Sequence, residues 1–540
     1  MFNKYIIMPF ILILVSIVAN IFLDYYSMPK RLARIDQSQH FYDMKKWYES
    51  GKLPTTSARF IASQVVNDEL TTPRVPGGAY YIFYTLFYRL SGETLLGAKI
   101  INLIFNLLII SIFLFWCYKK FGLIIVSFIT PLILCNGYFV MATTDFWNPN
   151  LSLIFSFLLF ILIFEYIDNS EEDYKRKNIV RISAIFIFPI LAIMAQGHFF
   201  TFFSLIPTII LYLIIKYKRT LKYILYWIIG VFISFLEYLP YLMSEIQNNF
   251  SNLNMIFKTK DGFRNFPFPQ IHAIAIFPTN EMSVFFSTKF KGIMHFWTEY
   301  YPITILGVIF LFITLIFSSI CIINGIYFTF NKKYKANSNN EKVLIEMMMI
   351  FLLYIPTTIV CNLATGQFSK IHYMYPFFAL SYIPMILFFV QNLISSNINN
   401  KLFYSIFAIL FINIFIMSLQ ITAYVKNYEQ PRNVDSMKKI ANIILNDVKG
   451  QDANVVEVYE GSHDNLYRDI AITYFPETVW NQNDESTNLY IVLDKIGTFS
   501  FEDQRIFDYT NYLNSNSSLI GDTGNFAIYK YLGIEAFRKP

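Results

Sequence analysis

Directly after its first hydrophobic segment, the chain reads Asp36-Gln37-Ser38-Gln39-His40-Phe41-Tyr42-Asp43. That hydrophobic segment, residues 5–23, is long enough to cross a bilayer, because a spanning helix needs about 20 apolar residues. It lacks the small-residue cleavage site of a signal peptide and runs into Asp24, so we expect it to remain as an anchor. The polar stretch then places carboxylates close to the membrane surface.

Residues 35–50 have the pattern of an amphipathic helix. Side chains three and four residues apart share a helical face, which puts Asp36, His40 and Asp43 together. Gly51 is a typical helix end. Such a helix would lie along the membrane surface with its polar face toward an aqueous cavity; the alternative is an ordinary solvated loop beside the membrane. The apolar side consists of Phe41, Met44, Trp47 and Tyr48.

The composition indicates a membrane protein. Of the 540 residues, 55% are apolar and 15% are charged, against ~45–50% and ~25% in soluble domains. The mean hydropathy is +0.43. We therefore predict a polytopic α-helical membrane protein with about eleven spans. The predicted spans are residues 5–23, 95–118, 122–141, 149–167, 181–197, 199–216, 221–243, 301–325, 344–363, 373–393 and 402–424.

The distribution of Lys and Arg predicts the topology. The net charge of +6 comes mostly from loops between spans, so it does not indicate nucleic-acid binding. Basic clusters near residues 119–120, 175–181, 216–222 and 332–335 fall on alternate loops, which we assign to the cytoplasm. An odd number of spans then puts the N-terminus inside and the C-terminus outside. The outer segments are residues 24–94, 142–148, 244–300, 364–372 and the tail.

The tail differs in composition from the rest of the chain. Residues 436–448 have the pattern of an amphipathic helix, and residues 455–459, 489–493 and 526–529 have the pattern of strands. We therefore predict a membrane module at residues 1–425, followed by a small soluble extracytoplasmic α/β domain at residues 426–540.

Two other outer segments carry candidate site residues. Asp145, in the second outer turn, is a carboxylate on the same side as Asp36; the alternative is a helix-capping Asp. Lys370 is a cation on the outer side, where Lys is less expected. A phosphate is a natural partner for it, and snorkelling to lipid headgroups is the alternative. His198 lies at a span end, where polar residues are often functional but a packing histidine is as common.

The sequence lacks the motifs of several classes of protein. The chain has no GxGxxG or Walker pattern, which argues against a nucleotide-driven pump, and no HExxH or GxSxG. The four cysteines all fall in or beside apolar segments and form no CxxC pair, so we expect small buried residues and not a metal or disulfide site. They are Cys117, Cys135, Cys321 and Cys361.

The order of these elements resembles the C-type (GT-C) glycosyltransferases of bacterial membranes. More narrowly, it is similar to the superfamily of protein O-mannosyltransferases, lipid A aminoarabinose transferases and RgtA/B/C/D-like enzymes. The resemblance covers about residues 1–425 and rests on one span, an acidic outer loop, the turn at residues 51–54 and a Pro-Gly break before an aromatic helix. Family members often read Asp-Glu where this chain has Asp36-Gln37, and Pro-Pro where it has Pro76-Gly77.

The resemblance implies a transferase that moves a sugar from a polyprenyl-phosphate-linked donor to an extracytoplasmic lipid, glycan or protein acceptor, with inversion of the anomeric centre. It implies Asp36 as general base, Asp145 as a supporting carboxylate, and Lys370 with His372 as the groups that bind the donor phosphate. His40, Asp43 and His198 are candidates for supporting roles. No cofactor is required, and a divalent metal is an alternative source of positive charge. The expected location is the bacterial cell (inner) membrane.

Two other functions fit the same compartment. One is a flippase or transporter of lipid-linked sugars, which would show charged or Gly/Pro-broken helices near mid-membrane. The other is a polymerase or ligase of surface polysaccharide. This chain keeps its ionisable residues near the outer ends of spans, which favours chemistry at the membrane surface.

Overall fold

The computed structural model describes residues 4–31, 35–60, 73–168, 174–258, 273–279, 304–331, 333–365, 371–393, 400–426, 433–449, 453–458, 488–494 and 512–533. These parts are mainly helical. The α-helices are α1 (Lys4–Ser27), α2 (Ile35–Ser50), α3 (Ala79–Leu90), α4 (Leu95–Phe121), α5 (Leu123–Leu134), α6 (Gly137–Thr143), α7 (Asn148–Ile167), α8 (Tyr174–Gly197), α9 (Leu205–Ile215), α10 (Tyr217–Lys222), α11 (Ile224–Gln247), α12 (Ser251–Lys258), α13 (Ala273–Ile276), α14 (Thr304–Phe330), α15 (Asn339–Thr365), α16 (Ile383–Leu393), α17 (Asn400–Tyr424) and α18 (Val434–Val448). Short 3-10 helices occupy Met28–Lys30, Phe199–Phe203, Phe277–Thr279, Ile371–Phe377 and Ala379–Tyr382.

Eight helices within the described residues are long and apolar enough to cross a membrane, and each coincides with a predicted span. Their bounds are Tyr5–Lys30, Leu95–Phe121, Asn148–Ile167, Lys177–Gly197, Ile224–Gln247, Phe312–Phe330, Asn339–Leu363 and Asn400–Tyr424. The predicted polytopic helical membrane protein is therefore confirmed.

The other three predicted spans are also helical but not straight. Residues 122–141 form α5 and α6, which meet at an angle of 65°, and residues 373–393 form a second pair bent by 73°. Residues 199–216 form a 3-10 turn and α9, a shorter apolar helix.

Polar side chains occupy the break between α5 and α6. Asn136 accepts from the backbone N–H of Tyr138, and its amide donates to the carbonyl of Phe277 over 2.7 Å. From α1, the amide of Asn20 donates to the carbonyl of Leu134 over 2.9 Å. Because lipid offers no hydrogen bonds, a backbone break at membrane depth needs such partners.

The helix predicted at residues 35–50 is present, and a strand pair follows it. Helix α2 ends at Ser50, and Gly51 follows with φ of +62°. Strand β1 (Thr56–Arg59) then pairs antiparallel with β2 (Arg74–Pro76), so that Arg59 lies opposite Arg74. This two-stranded ribbon was not predicted.

The Pro-Gly break lets α3 begin close to other parts of the chain. A Cβ on Gly77 would lie 2.4 Å from the side chain of Gln196, and one on Gly78 would lie 1.8 Å from the carbonyl oxygen of Pro54. The side chain of Gln196 also accepts from the N–H of Ala79 over 3.0 Å. Glycine at position 77 therefore allows the start of α3 to pack against the end of α8, and glycine at position 78 allows it to pack against the backbone at Pro54.

Buried ion pairs join the other ends of α4 and α7. The ammonium of Lys120 lies 2.9 Å from Asp168 and 2.8 Å from Glu165. The carboxylate of Asp168 also accepts from the side chain of Asn339 at the start of α15. This cluster ties three helices at the end opposite α2.

The tail contains α18 and a four-stranded sheet in the order β3-β4-β6-β5. Strands β3 and β4 are parallel, whereas β6 is antiparallel to both β4 and β5. The predicted helix and three predicted strands are present; the fourth strand, β5, was missed because its sequence Ser-Ser-Leu-Ile-Gly-Asp has no clear apolar alternation. The domain boundary at residue 425 stays a prediction. The strands are β3 (Asn454–Val458), β4 (Leu489–Asp494), β5 (Ser517–Asp522) and β6 (Phe526–Tyr531).

Candidate active site

Helix α2 carries the three polar residues that the sequence places on one face. The backbone of Asp36 lies in its first turn, but the Asp36 side chain lies outside the described residues. His40 and Asp43 are 3% and 2% exposed. These two side chains therefore face protein groups and not the open aqueous cavity that we expected.

Asp43 connects α2 to the two-stranded ribbon. Its carboxylate accepts from both terminal nitrogens of Arg74, at 2.9 and 3.2 Å, and from Arg59 at 3.5 Å. The hydroxyl of Tyr81 donates to it over 3.2 Å. Burial alone would raise the pKa of Asp43, but the guanidinium groups of Arg74 and Arg59 outweigh burial and lower it. Asp43 therefore stays ionised and holds the ribbon against α2.

Arg59 and Arg74 both lie beside the carboxylate of Asp43. Two guanidinium groups share one carboxylate, and the Arg59 side chain is only 7% exposed. The buried Nε of Arg59 has no hydrogen-bond partner among the described residues. A buried guanidinium with an unused donor is suited to an anion. Neither arginine was predicted as a site residue, because their pairing depends on the register of the ribbon.

His40 links α2 to the start of α7. Its Nε2 lies 3.2 Å from Oδ1 of Asn148, and Nδ2 of Asn148 donates to the carbonyl of Gly197 over 3.0 Å. Since that carbonyl can only accept, Oδ1 of Asn148 faces His40, and the assigned hydrogen-bond network places the proton of His40 on Nε2. Asn148 was also missed, although the Pro149 that follows it marks a helix start.

The side chains of Trp147, His198, His372 and Tyr373 form a second group beside Asn148. The ring centroids of Trp147 and His372 are 4.6 Å apart, and those of His198 and His372 are 5.6 Å apart. Burial lowers the pKa of His198 to about 3, so its imidazole is neutral at physiological pH. His40, His198 and His372 are thus brought to one end of the helical bundle, around the first residues of α7.

Asp145 lies in a different environment. It is 2% exposed, and its carboxylate lies 3.2 Å from the ammonium of Lys99 and 3.5 Å from the guanidinium of Arg31. It does not cap α7, which begins at Asn148 with Trp147 at the N-cap position. Lys370 lies outside the described residues.

No group of three or more His, Cys, Asp or Glu side chains within the described residues could hold a metal ion. None of the four cysteines, all of which lie within the described residues, forms a disulfide, and three of them are buried. Positive charge in the described part of the site comes from the side chains of Arg59 and Arg74 beside Asp43 and of Arg31 and Lys99 beside Asp145.

The chain was compared with known proteins. No protein-family model matches it, and no curated protein does. A solved structure of ArnT from Cupriavidus metallidurans in the apo state is similar, with 13% identity, a TM-score of 0.50 and coverage of 96% of this chain and 97% of that one. ArnT from the same organism bound to undecaprenyl phosphate has 11% identity, a TM-score of 0.47 and coverage of 97% and 99%. An oligosaccharyltransferase from Archaeoglobus fulgidus, tethered to an acceptor peptide, has 11% identity, a TM-score of 0.48 and coverage of 89% and 64%.

At this level of identity, the similarity to apo ArnT concerns the fold. It extends over nearly the whole length of both chains. The protein therefore shares the fold of ArnT.

Proposed function

We propose that this protein is a glycosyltransferase that moves a sugar from a polyprenyl-phosphate-linked donor to an extracytoplasmic lipid, glycan or protein acceptor. The observation that carries the proposal is the hydrogen bond from His40 on α2 to Asn148 at the start of α7. Beside it, Trp147 packs on His372. Through these contacts, three outer segments that the sequence singles out separately meet at one end of a GT-C bundle.

Asp36 is the proposed general base. It lies one helical turn before His40, so both belong to the same face of α2. As the acceptor hydroxyl attacks the anomeric carbon, its proton passes to the Asp36 carboxylate, and the bond from the anomeric carbon to the phosphate oxygen breaks. The phosphate leaves with the electron pair, and attack from the opposite face inverts the anomeric centre. General-base help of this kind contributes about 10²–10⁴-fold.

Lys370 and His372 are the proposed binding groups for the donor phosphate. Charge grows on the phosphate as it leaves, so fixed cations nearby lower the barrier. Lys370 directly precedes the 3-10 turn that holds His372 in contact with Trp147. Arg59, whose buried Nε has no hydrogen-bond partner among the described residues, is a second candidate for the same role, together with Arg74 beside it.

Helix α3 offers the donor a route from the membrane. Its outer side is apolar, with Ile82, Leu86 and Leu90 exposed by 39%, 49% and 64%. Its inner side carries Tyr80, whose ring contacts His40 at a centroid distance of 5.3 Å. Such an amphipathic helix can lie in the membrane interface and bring a lipid chain next to the site.

The test is an assay of the purified protein in lipid nanodiscs with a panel of defined polyprenyl-phosphate sugars. We expect at least one donor to be consumed, and Asp36→Asn to reduce turnover by about 10²-fold or more. Glu49→Gln is the matched control, because Glu49 lies on the same helix with 51% side-chain exposure and pairs only loosely with Lys45, at 3.5 Å. Equal turnover by Asp36→Asn and Glu49→Gln would remove Asp36 from the mechanism.

One observation supports the alternative function of a transporter, because two helix pairs are bent. Broken helices are typical of transporters. At the break between α5 and α6, however, the polar groups of Asn20 and Asn136 bond to backbone carbonyls. A lipid-linked sugar that crosses proteoliposome membranes without losing its sugar would favour transport over transfer.

A further inference from the structure

A buried charge network lies where α1, α4 and the turn before α7 meet. Its members are Arg31, Lys99 and Asp145, which are 2%, 1% and 2% exposed. Two of them are cations, and both face the carboxylate of Asp145. Burying three charges is costly unless they are paired and hydrogen-bonded. These three are paired and hydrogen-bonded, so the network can hold the segments that carry them in fixed positions.

We propose that Asp145 is a positioning residue, which together with Lys99 and Arg31 fixes the start of α2, and not a carboxylate that binds the acceptor. The catalytic part of this inference rests on the function proposed above. The structural part does not depend on it.

The network holds the connection between α1 and α2 by both main chain and side chain. The ammonium of Lys99 donates to the carbonyls of Met28, at 3.4 Å, and of Arg31. The guanidinium of Arg31 donates to the carbonyl of Met141 over 2.8 Å and to the hydroxyl of Thr144 over 2.6 Å. Helix α2 begins at Ile35, only four residues after Arg31. The helix that carries Asp36 is thus tied at its entry to α4 and α6.

The oxygens of Asp145 are already occupied. Oδ1 faces Lys99 at 3.2 Å and accepts from the N–H of Phe146 over 2.9 Å. Oδ2 faces Arg31 at 3.5 Å. An acceptor sugar or lipid would have to displace one of these buried cations to reach the carboxylate. This geometry favours a carboxylate that holds other groups in place.

The test compares Asp145→Asn with the double variant Lys99→Gln/Asp145→Asn, in which the neutral amide can still donate to the carbonyls of Met28 and Arg31. The single change removes the carboxylate that both buried cations face, whereas the double change removes one of the two cations as well. The remaining cation, Arg31, keeps its bonds to Met141 and Thr144. Hydrogen–deuterium exchange in nanodiscs measures the protection of the backbone amides of α2, compared with those of α7. Assays with the panel of lipid-linked donors measure sugar transfer.

We expect Asp145→Asn to speed exchange in α2 by about tenfold or more, with a parallel loss of transfer. We expect the double variant to recover both to within about threefold of the unmodified protein. Asp168→Asn is the control for position, because Asp168 pairs with Lys120 at the opposite ends of α4 and α7, where Lys120 keeps Glu165 as a second partner. It should leave exchange in α2 unchanged.

The proposal is overturned if the double variant recovers neither α2 protection nor transfer, or recovers protection while transfer stays as low as in Asp145→Asn. In the second case the carboxylate itself is needed for the reaction. It is also overturned if Asp168→Asn loosens α2 as much as Asp145→Asn does. If the unmodified protein uses no lipid-linked donor, the proposed function fails, but the exchange data still decide whether Asp145 positions α2.

Discussion

His40 and Asn148 are hydrogen-bonded over 3.2 Å although they are 108 positions apart in the chain. The amide of Asn148 also donates to the carbonyl of Gly197. One asparagine therefore joins α2, the start of α7 and the end of α8. The helix that carries Asp36 is held in this way beside Trp147 and, through it, beside His372.

Replacing Asn148 by leucine should break this junction while keeping a side chain of similar size. Removing one partner of a buried hydrogen bond costs about 1–3 kcal/mol, and we expect transfer to fall by about tenfold. Asn148→Asp is the matched variant, since it keeps an acceptor for Nε2–H of His40 and should retain more activity. Initial rates with a saturating donor measure the difference. If the leucine variant matched the unmodified protein, the junction would have no role in the reaction.

Asp43→Asn should weaken the attachment of the two-stranded ribbon to α2. The change leaves Arg59 and Arg74 without their shared negative charge, at a cost of about 3 kcal/mol, so the thermal unfolding midpoint should fall. The pKa of Asp43 is lowered in the folded state. Its contribution to stability is therefore fully present above the unfolded pKa of about 4 and is lost as the pH falls through the folded pKa.

Unfolding midpoints of the unmodified protein and Asp43→Asn, measured from neutral to acid pH, check this prediction. The gap between them should be constant at neutral pH and should close only below about pH 4. Asp447→Asn provides a comparison, because Asp447 pairs with Lys530 in the tail at side-chain exposures of 33% and 29%, and solvent-accessible pairs contribute less than buried ones. A gap that stayed constant down to the lowest pH would show that the charge of Asp43 is not what stabilises the ribbon.

The sequence predicts those parts of the site that depend on local pattern. The bounds of α2 follow from the spacing of its polar residues and from Gly51, and the aromatic helix α3 follows from the Pro76-Gly77 break. Both features are determined within one or two turns of the chain. The long spans are predicted equally well, because hydropathy sums over about 20 residues.

The contacts that bring the segments of the site together could not be predicted from local sequence pattern. Lys99 lies in the first turns of α4, where its position gives no sign that Asp145 is its partner. The bend at Asn136 lies inside a continuous apolar stretch, so hydropathy alone predicts one straight span. Asn148 contacts His40 only because α7 starts next to α2 in space. Each of these features depends on packing between distant segments.

His198 should make the protein less stable as the pH falls below about 6.5. Burial lowers the pKa of His198 to about 3 in the folded state, whereas an exposed histidine has a pKa of about 6.5. Between these two values the unfolded chain binds a proton that the folded chain does not, so stability decreases by up to about 1.4 kcal/mol per pH unit. His198→Phe removes the titrating group and keeps a ring against His372 and Tyr373. Its unfolding midpoint should depend less steeply on pH between about 6.5 and 3; equal slopes for the two proteins would contradict the burial of a neutral imidazole.

Lys370→Glu should weaken use of the lipid-linked donor, because it replaces a cation that we assign to the donor phosphate by an anion. A charge-assisted bond to phosphate is formed in the ground state and strengthens as the phosphate leaves. The KM for the donor should therefore rise and kcat should fall, together by about 10²-fold in kcat/KM.

Lys52→Glu is the matched control for Lys370→Glu, since Lys52 is an exposed residue in the turn after α2 and undergoes the same change in charge. Steady-state kinetics with increasing donor concentration, repeated with free polyprenyl phosphate as a competitor, distinguish loss of phosphate binding from loss of acceptor binding. If Lys370→Glu and Lys52→Glu gave the same donor dependence and the same inhibition by polyprenyl phosphate, the phosphate would be bound elsewhere, and Arg59 and Arg74 would be the next residues to change.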